Sequence, residues 1–278
     1  MLYCNGTKES TMSVENQSAN FSCMTYNLRY NGDRGAFRVK NRLPRIIEKI
    51  SDLSPDLLGV QEAQVMHVKA LKEALSPEYD IVYCYRQRPS LAHFHPESSP
   101  ILYKKEKFEL LDSGHFWLSK TPDVMSRMPG AQNYRICTWV RLKEKTSWIV
   151  FYYYNLHLDF GAAQNKSLPV LLGRVQKDAT VIVGGDFNLS PADENYQKIV
   201  RELSDSRLVS EKDGESATYH AYRSPSRDIK NHIDFLFYRG DIRPVSHRVV
   251  CDDETRWGKG AFASDHYPVL VNFLLTNR

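Results

Sequence analysis

The stretch Val181-Ile182-Val183-Gly184-Gly185-Asp186-Phe187-Asn188-Leu189-Ser190-Pro191 constrains the chain most, because an apolar β-branched run stops abruptly on glycines, a carboxylate and an amide. It reads as a buried strand that delivers Asp186 and Asn188 to its carboxyl end. Positions two apart on a strand share a face, so both side chains are expected to point into one pocket, with Ser190-Pro191 turning the chain away. Taken alone, the same letters describe a strand followed by an Asp/Asn-stabilised turn. They gain meaning because other apolar segments of the chain also end in polar residues.

Those segments come in order. Residues 1 to 20 are polar and without hydrophobic period, and are expected to form a flexible leader to a single domain over 21–278. A strand over Phe21 to Asn27 is followed by a loop at Asn31-Gly32-Asp33. Helical spacing runs from Arg42 to Leu53, with Pro44 tolerable in a first turn. A short apolar strand from Asp56 then ends at Glu62, and a second helix is expected from Val65 to Leu75. Beyond Tyr79 the pattern turns to aromatic-rich strands: Tyr79–Tyr85, Pro100–Tyr103, Phe108–Leu118, Arg135–Lys143 and Thr146–Leu158. A helix over Leu168–Asp178 precedes the opening strand, and another over Ala192–Leu203 follows it. The chain closes with strands at His232–Tyr238 and Val269–Leu274, the latter entered through Ser264-Asp265-His266-Tyr267-Pro268. Two βα-rich halves suit two sheets packed face to face with helices outside.

At 278 residues with 42% hydrophobic and 25% charged residues, the chain has ample material for one large core. Its net charge of +4 permits a polyanionic partner such as nucleic acid without demanding one. Five scattered cysteines without a C-x-x-C pair argue against a zinc knuckle or a disulfide framework. The sequence carries no apolar signal and no run long enough to span a bilayer, so a soluble monomer in the cytoplasm or nucleus is expected.

Asn27, Glu62, His157, Asp186, Asn188, Asp234, Asp265 and His266 all fall at expected strand ends. Carboxylate and amide oxygens suit a hard divalent cation such as Mg²⁺ or Mn²⁺, which often completes its shell with substrate phosphate. Histidine is a poor ligand for such an ion but a good proton carrier near neutral pH. Asp234 interrupts an apolar strand and needs a partner, for which His266 is the natural choice.

With Thr25-Tyr26-Asn27-Leu28-Arg29, Val60-Gln61-Glu62, Asn155-Leu156-His157-Leu158, Gly184-Gly185-Asp186-Phe187-Asn188, Ile233-Asp234 and Ser264-Asp265-His266-Tyr267-Pro268 in that order, the chain resembles the endonuclease/exonuclease/phosphatase superfamily. The resemblance implies an α/β fold, a four-layer sandwich of two mixed β-sheets with helices outside and the site at the mouth between them. It makes Glu62 the principal metal ligand, with Asn27 and Asp265 as further ligands or supports. Asp186 is expected to act on the attacking water, Asn188 to hold a phosphate oxygen, and His266, paired with Asp234, to stabilise charge on the scissile phosphate. His157 is the second histidine of the site, Glu97 its expected support, and Arg135 a phosphate-binding cation.

The implied activity is divalent-metal-dependent hydrolysis of a phosphoester. A phosphodiester and nuclease action lead; a small phosphorylated metabolite, a lipid headgroup or a silent phospholigand-binding module are the alternatives. Arg29 stands where abasic-site nucleases carry an acid, and Gly161-Ala162-Ala163-Gln164-Asn165 departs from the Arg-rich helix expected after His157. Arg86, Arg88, His93 and His95 form either a phosphate-binding or a solvated loop, while Asp33 and Asp159 read as loop residues outside the site.

Overall fold

Two mixed sheets face one another in the computed structural model, which describes residues 18–88, 96–209, 211–213, 216–223 and 228–276. Residues 1–17 of the expected leader, and His93 and His95, lie outside the described residues. In chain order the strands of the first half are β1 (Ser18–Asn27), β2 (Leu57–Gln61), β3 (Tyr79–Val82), β4 (Ile101–Lys104), β5 (Phe108–Trp117), β6 (Ile136–Glu144) and β7 (Val150–His157). The second half adds β8 (Val181–Asp186), β9 (Ser204–Asp205), β10 (Glu211–Asp213), β11 (Asp234–Arg239), β12 (Ile242–Val249) and β13 (Val269–Thr276). The helices are α1 (Val39–Leu53), α2 (Val65–Leu75), α3 (Gly161–Arg174), α4 (Glu194–Ile199), α5 (Ser206–Val209) and α6 (Asp253–Trp257). One sheet runs β10-β12-β13-β1-β2-β4-β3 and the other β5-β6-β7-β8-β11-β9.

Strand alternation creates the layers. In β1, Phe21 and Cys23 enter the core between the sheets while Met24 and Tyr26 face a second core with Ile46 and Ile50 of α1 and Val68 and Leu71 of α2. In β8, Ile182 joins the central core, whereas Val181 and Val183 pack with Leu168 and Leu171 of α3 and Tyr196 and Ile199 of α4. Three apolar layers between two sheets and their outer helices make a four-layer α/β sandwich.

Several expected boundaries shift. α1 starts at Val39, so Pro44 sits beyond its first turn. α3 spans Gly161–Arg174 rather than Leu168–Asp178, so a helix does follow His157, built from the very residues that looked like a departure. α4 is shorter than the expected Ala192–Leu203, and β12 and α6 add to the expected elements.

At one end of the strands the two sheets approach closely. A Cβ on Gly59 of β2 would lie 2.2 Å from the Tyr153 hydroxyl of β7, so only glycine fits there. Beside it, Gln61 Nε2 donates to Asn155 Oδ1 at 2.7 Å, and Asn155 Nδ2 donates to the carbonyls of Val60 and Pro100. These buried amides tie the sheets together just beneath the mouth.

Candidate active site

The sheet itself sets three of the polar groups side by side. β7 pairs with β8 in parallel with His157 opposite Asp186, and β11 pairs antiparallel to β8 with Asp234 opposite Asp186. Opposed residues on paired strands project to the same face, so His157, Asp186 and Asp234 share one wall. Gly185 permits this: its φ is 148°, and a Cβ there would lie 2.0 Å from the Leu156 carbonyl oxygen. From the facing sheet, β1 delivers Asn27 and the residue after β2 is Glu62, while the loop before β13 brings Asp265 and His266.

Asn188 reaches the pocket by a different route from the one strand alternation predicts. It lies beyond β8 with φ 51°, so a left-handed turn, not a shared strand face, aims it at the site. Glu62 and Arg29, both with φ 56°, also line the pocket in this sparsely populated conformation. Backbone held this way costs on the order of 1–3 kcal/mol per residue and is concentrated at functional sites.

A connected hydrogen-bond chain runs through the wall. His266 Nδ1 lies 2.9 Å from Asp234 Oδ2, and its Nε2 is 3.9 Å from Asp186 Oδ2. Asp186 accepts from Asn27 Nδ2 at 2.9 Å and from the Asn188 backbone N–H at 2.9 Å, and His157 Nε2 stands 3.4 Å from it. Asn188 Nδ2 donates to His157 Nε2 at 3.0 Å and to the Leu158 carbonyl at 2.9 Å, which engages the amide nitrogen and leaves its oxygen for the pocket. Asn188 is therefore a brace for His157, and its free group is an acceptor rather than the donor that a phosphate oxygen wants.

The two histidines differ in charge: one is a cation and the other neutral. Burial disfavours a charged His266, but Asp234, with Asp265 and Asp186 behind it, outweighs that cost and holds the imidazolium up to about 10. His157 is pushed well below its ordinary value by burial and by Arg135, Arg86 and His266, so it is neutral. Burial and the neighbouring Asp234 raise Asp186 to about 7, against the opposing pull of His266. Asp265 and Glu97 are also raised, first by burial and with Glu62 contributing. Buried carboxylates held back from ionisation mark a place where added positive charge is favourable.

The remaining expected residues fall as follows. Glu62 accepts from Asn27 Nδ2 at 3.2 Å and from the Tyr30 N–H at 2.8 Å. The Asn27 side-chain Oδ1 takes the Arg29 N–H, so its Nδ2 is turned to bridge the carboxylates of Glu62 and Asp186. Glu97 is not on His157: it pairs with Arg86 at 2.8 Å, and His157 Nδ1 is buried without a partner. Arg135 sits 3.8 Å from Asp159. Arg29 grips Asp33 through two nitrogens at 3.2 Å and reaches Asp265 at 3.4 Å, so the two acids first read as mere loop residues both hold pocket arginines. Arg88 is exposed. Among the described residues, Asp186, Asp234 and His266 form a group that could hold a metal ion, with ligand atoms within 4.8 Å of one another.

Two supporting residues give no sign in the sequence. Arg42, fully buried in α1, donates to the carbonyls of Leu28, Arg29, Tyr30, Phe37 and Ala263, clamping the loop after β1 to the segment leading into Asp265 and His266. Gln164 of α3 donates to the carbonyls of Asp159, Phe187 and Asn188. For each, all but one of these carbonyls lie twelve or more residues away, which no local pattern announces.

An acid beside a charged, carboxylate-held imidazole at the mouth of a four-layer sandwich defines the class of metal-dependent phosphoesterases. The sequence matches the Endonuclease/Exonuclease/phosphatase family over residues 24–266, and the chain belongs to that family. No curated protein matched it. Among solved structures it is similar to an endonuclease/exonuclease/phosphatase family protein from Bacteroides thetaiotaomicron, with 27% identity and a TM-score of 0.81 over 93% of this chain and 99% of that one. A mannosyl-6-phosphatase from the same organism is 28% identical, with a TM-score of 0.78 over 91% and 99% of the two chains. A functionally unknown conserved protein from Enterococcus faecalis is 25% identical, with a TM-score of 0.81 over 91% and 98%. The protein is a metal-dependent hydrolase of phosphoester bonds.

Proposed function

We propose that the protein hydrolyses the phosphoester of a small phosphorylated molecule, using Mg²⁺ or Mn²⁺ at the pocket mouth. The observation that carries this is the Asp234–His266 pair at 2.9 Å beside Asp186, which sets a permanent cation next to a carboxylate that titrates near neutral pH. Asp186 takes the proton of the attacking water. His266 Nε2 donates to a phosphate oxygen as charge develops there, with Asp234 holding the ring and its proton. Neutral His157, its Nε2 taken by the Asn188 amide, forms the wall beside Asp186, while the Asn188 oxygen orients the water.

The donor set fits a hard divalent cation. Glu62, with no cationic partner at salt-bridge distance among the described residues, and raised Asp265 supply anionic oxygens, and Asn27 braces Glu62. Glu62 suits the ion better than Asp186, Asp234 and His266, because the imidazolium of that group repels a cation, and Asp265 joins it as the acid already shared with Arg29 at 3.4 Å. When bound, the metal would polarise the phosphate and neutralise its charge.

A nuclease was the leading expectation, yet a small substrate fits better. The pocket is about 720 Å³, within the ~300–1,000 Å³ usual for small ligands. Among the described residues, its three arginines are each paired with a carboxylate, Asp33 and Asp265, Glu97, or Asp159, rather than left free for a polynucleotide backbone. The likeness to the mannosyl-6-phosphatase supports the same reading.

The variants Asp186→Ala, His266→Ala and Glu62→Ala are each expected to lose roughly 100-fold or more in kcat while remaining folded. Near wild-type turnover in any one of them sinks the assignment, and a wild-type protein that binds phosphate but cleaves no ester would make it a binding module.

A further inference from the structure

We infer that the pocket contains a polyol subsite, formed by Phe160, Asn31, Gln87 and Asn231, that selects a sugar-sized, hydroxyl-rich leaving group. This rests on the phosphoesterase reading and specifies its substrate class. Phe160, the residue that caps α3, is 61% exposed although it lines the pocket, with the Arg135 guanidinium 6.0 Å from its ring centre. A large ring left in water on the lip of a polar cavity offers an apolar face to the C–H side of a flat ligand.

Three amides share the pocket with it. Asn31, Gln87 and Asn231 line the same pocket, and their side chains make no hydrogen bond among the described residues. An amide offers a donor and an acceptor together, which matches a hydroxyl that also does both. An anionic leaving group would instead need an unpaired cation, and the arginines of the pocket already hold carboxylates. Single-stranded nucleic acid is gripped by successive aromatic platforms along a basic groove. Among the described pocket residues Phe160 is the one strongly exposed ring, with Tyr30 and Tyr219 less exposed, and the volume of about 720 Å³ lies in the ~300–1,000 Å³ range of small-ligand sites.

The stereochemical demand separates a sugar from a base. Both can lie on Phe160, but a pyranose presents hydroxyls around its whole edge, and the pocket holds three unengaged amides to meet them. A site whose polar groups expect such partners rejects ligands that leave them unpaired.

The test is steady-state kinetics of the intact protein with Mg²⁺ on a hexose 6-phosphate, adenosine 5′-monophosphate and ethyl phosphate. The wild type is expected to favour the hexose phosphate over both others by about tenfold or more in kcat/KM. Phe160→Ala and Asn231→Leu are each expected to lower the ratio of hexose to ethyl phosphate kcat/KM by about tenfold, mainly through KM on the hexose ester. Unchanged melting temperatures of the variants separate this from a folding defect. Preference for the nucleotide, or variants that leave the ratio unmoved, overturns the polyol subsite while the hydrolase reading stands. Failure of the wild type on all three, ethyl phosphate included, overturns the small-monoester reading proposed above and the subsite with it.

Discussion

The His266 imidazole is joined to Asp234 at 2.9 Å through Nδ1 and looks toward Asp186 at 3.9 Å through Nε2, so one buried ring links two carboxylates. That relationship divides the labour of the site: one acid holds the ring, the other faces the reacting water.

Replacing Asp234 by Asn should remove the charge that keeps His266 protonated. The raised pKa means the charged pair stabilises the fold fully below the unfolded histidine value near 6.5 and loses that contribution as pH climbs through about 10. Chemical denaturation of wild type and Asp234→Asn across this window should give a stability gap that is widest at the acid end and closes toward pH 10. A gap independent of pH would contradict a charged His266.

Asp186 carries the opposite sign. Its carboxyl is raised to about 7, so ionising it in the metal-free fold costs stability that is absent at low pH and grows as pH rises from the unfolded aspartate range through 7. In chelator, Asp186→Asn should melt above wild type at pH 8 and lose that advantage by about pH 4. Its turnover should nonetheless be lost, a trade between stability and activity expected at active sites.

Metal binding should itself be visible as stability. With Mn²⁺ at about 100 times its Kd, the fold should gain about 2.7 kcal/mol, read as a rise in melting temperature. Glu62→Gln should abolish the rise and Asn27→Ala should weaken it. Retention of the rise in Glu62→Gln together with its loss in Asp234→Asn would move the ion to the Asp186, Asp234 and His266 group.

Arg42 should matter although it touches no substrate. Its buried guanidinium donates to carbonyls on both sides of the mouth, and charge-assisted hydrogen bonds contribute about 1.5–3 kcal/mol each. Arg42→Met is expected to destabilise by ~3 kcal/mol or more, measured by urea unfolding, through lost bonds and orphaned carbonyls.

Much of this architecture is legible in the sequence because β-branched runs end on polar residues, as Val181 to Asp186 does, and the ends of β1, β2, β7, β8, β11 and the entry to β13 could be read in order. β12 escaped because Pro244 and the charged Arg243 and Arg248 disguise a strand that pairs with β13 through a bulge. The start of α3 hid in Gly161-Ala162-Ala163-Gln164, whose role is to pack and to brace the Asn188 turn. Glu97 was placed on His157 by position alone, whereas the nearer charge of Arg86 captures it. Arg42 could not be read at all, since its partners are carbonyls brought together only by the finished fold.

The central claim is tested most directly by following phosphate release from a simple phosphoester as metal is removed and returned, with His266→Ala alongside. The account predicts turnover with Mg²⁺ or Mn²⁺, its loss in chelator, its recovery on adding metal back, and a flat trace for folded His266→Ala. Turnover that persists in chelator, or that survives in His266→Ala, would contradict it.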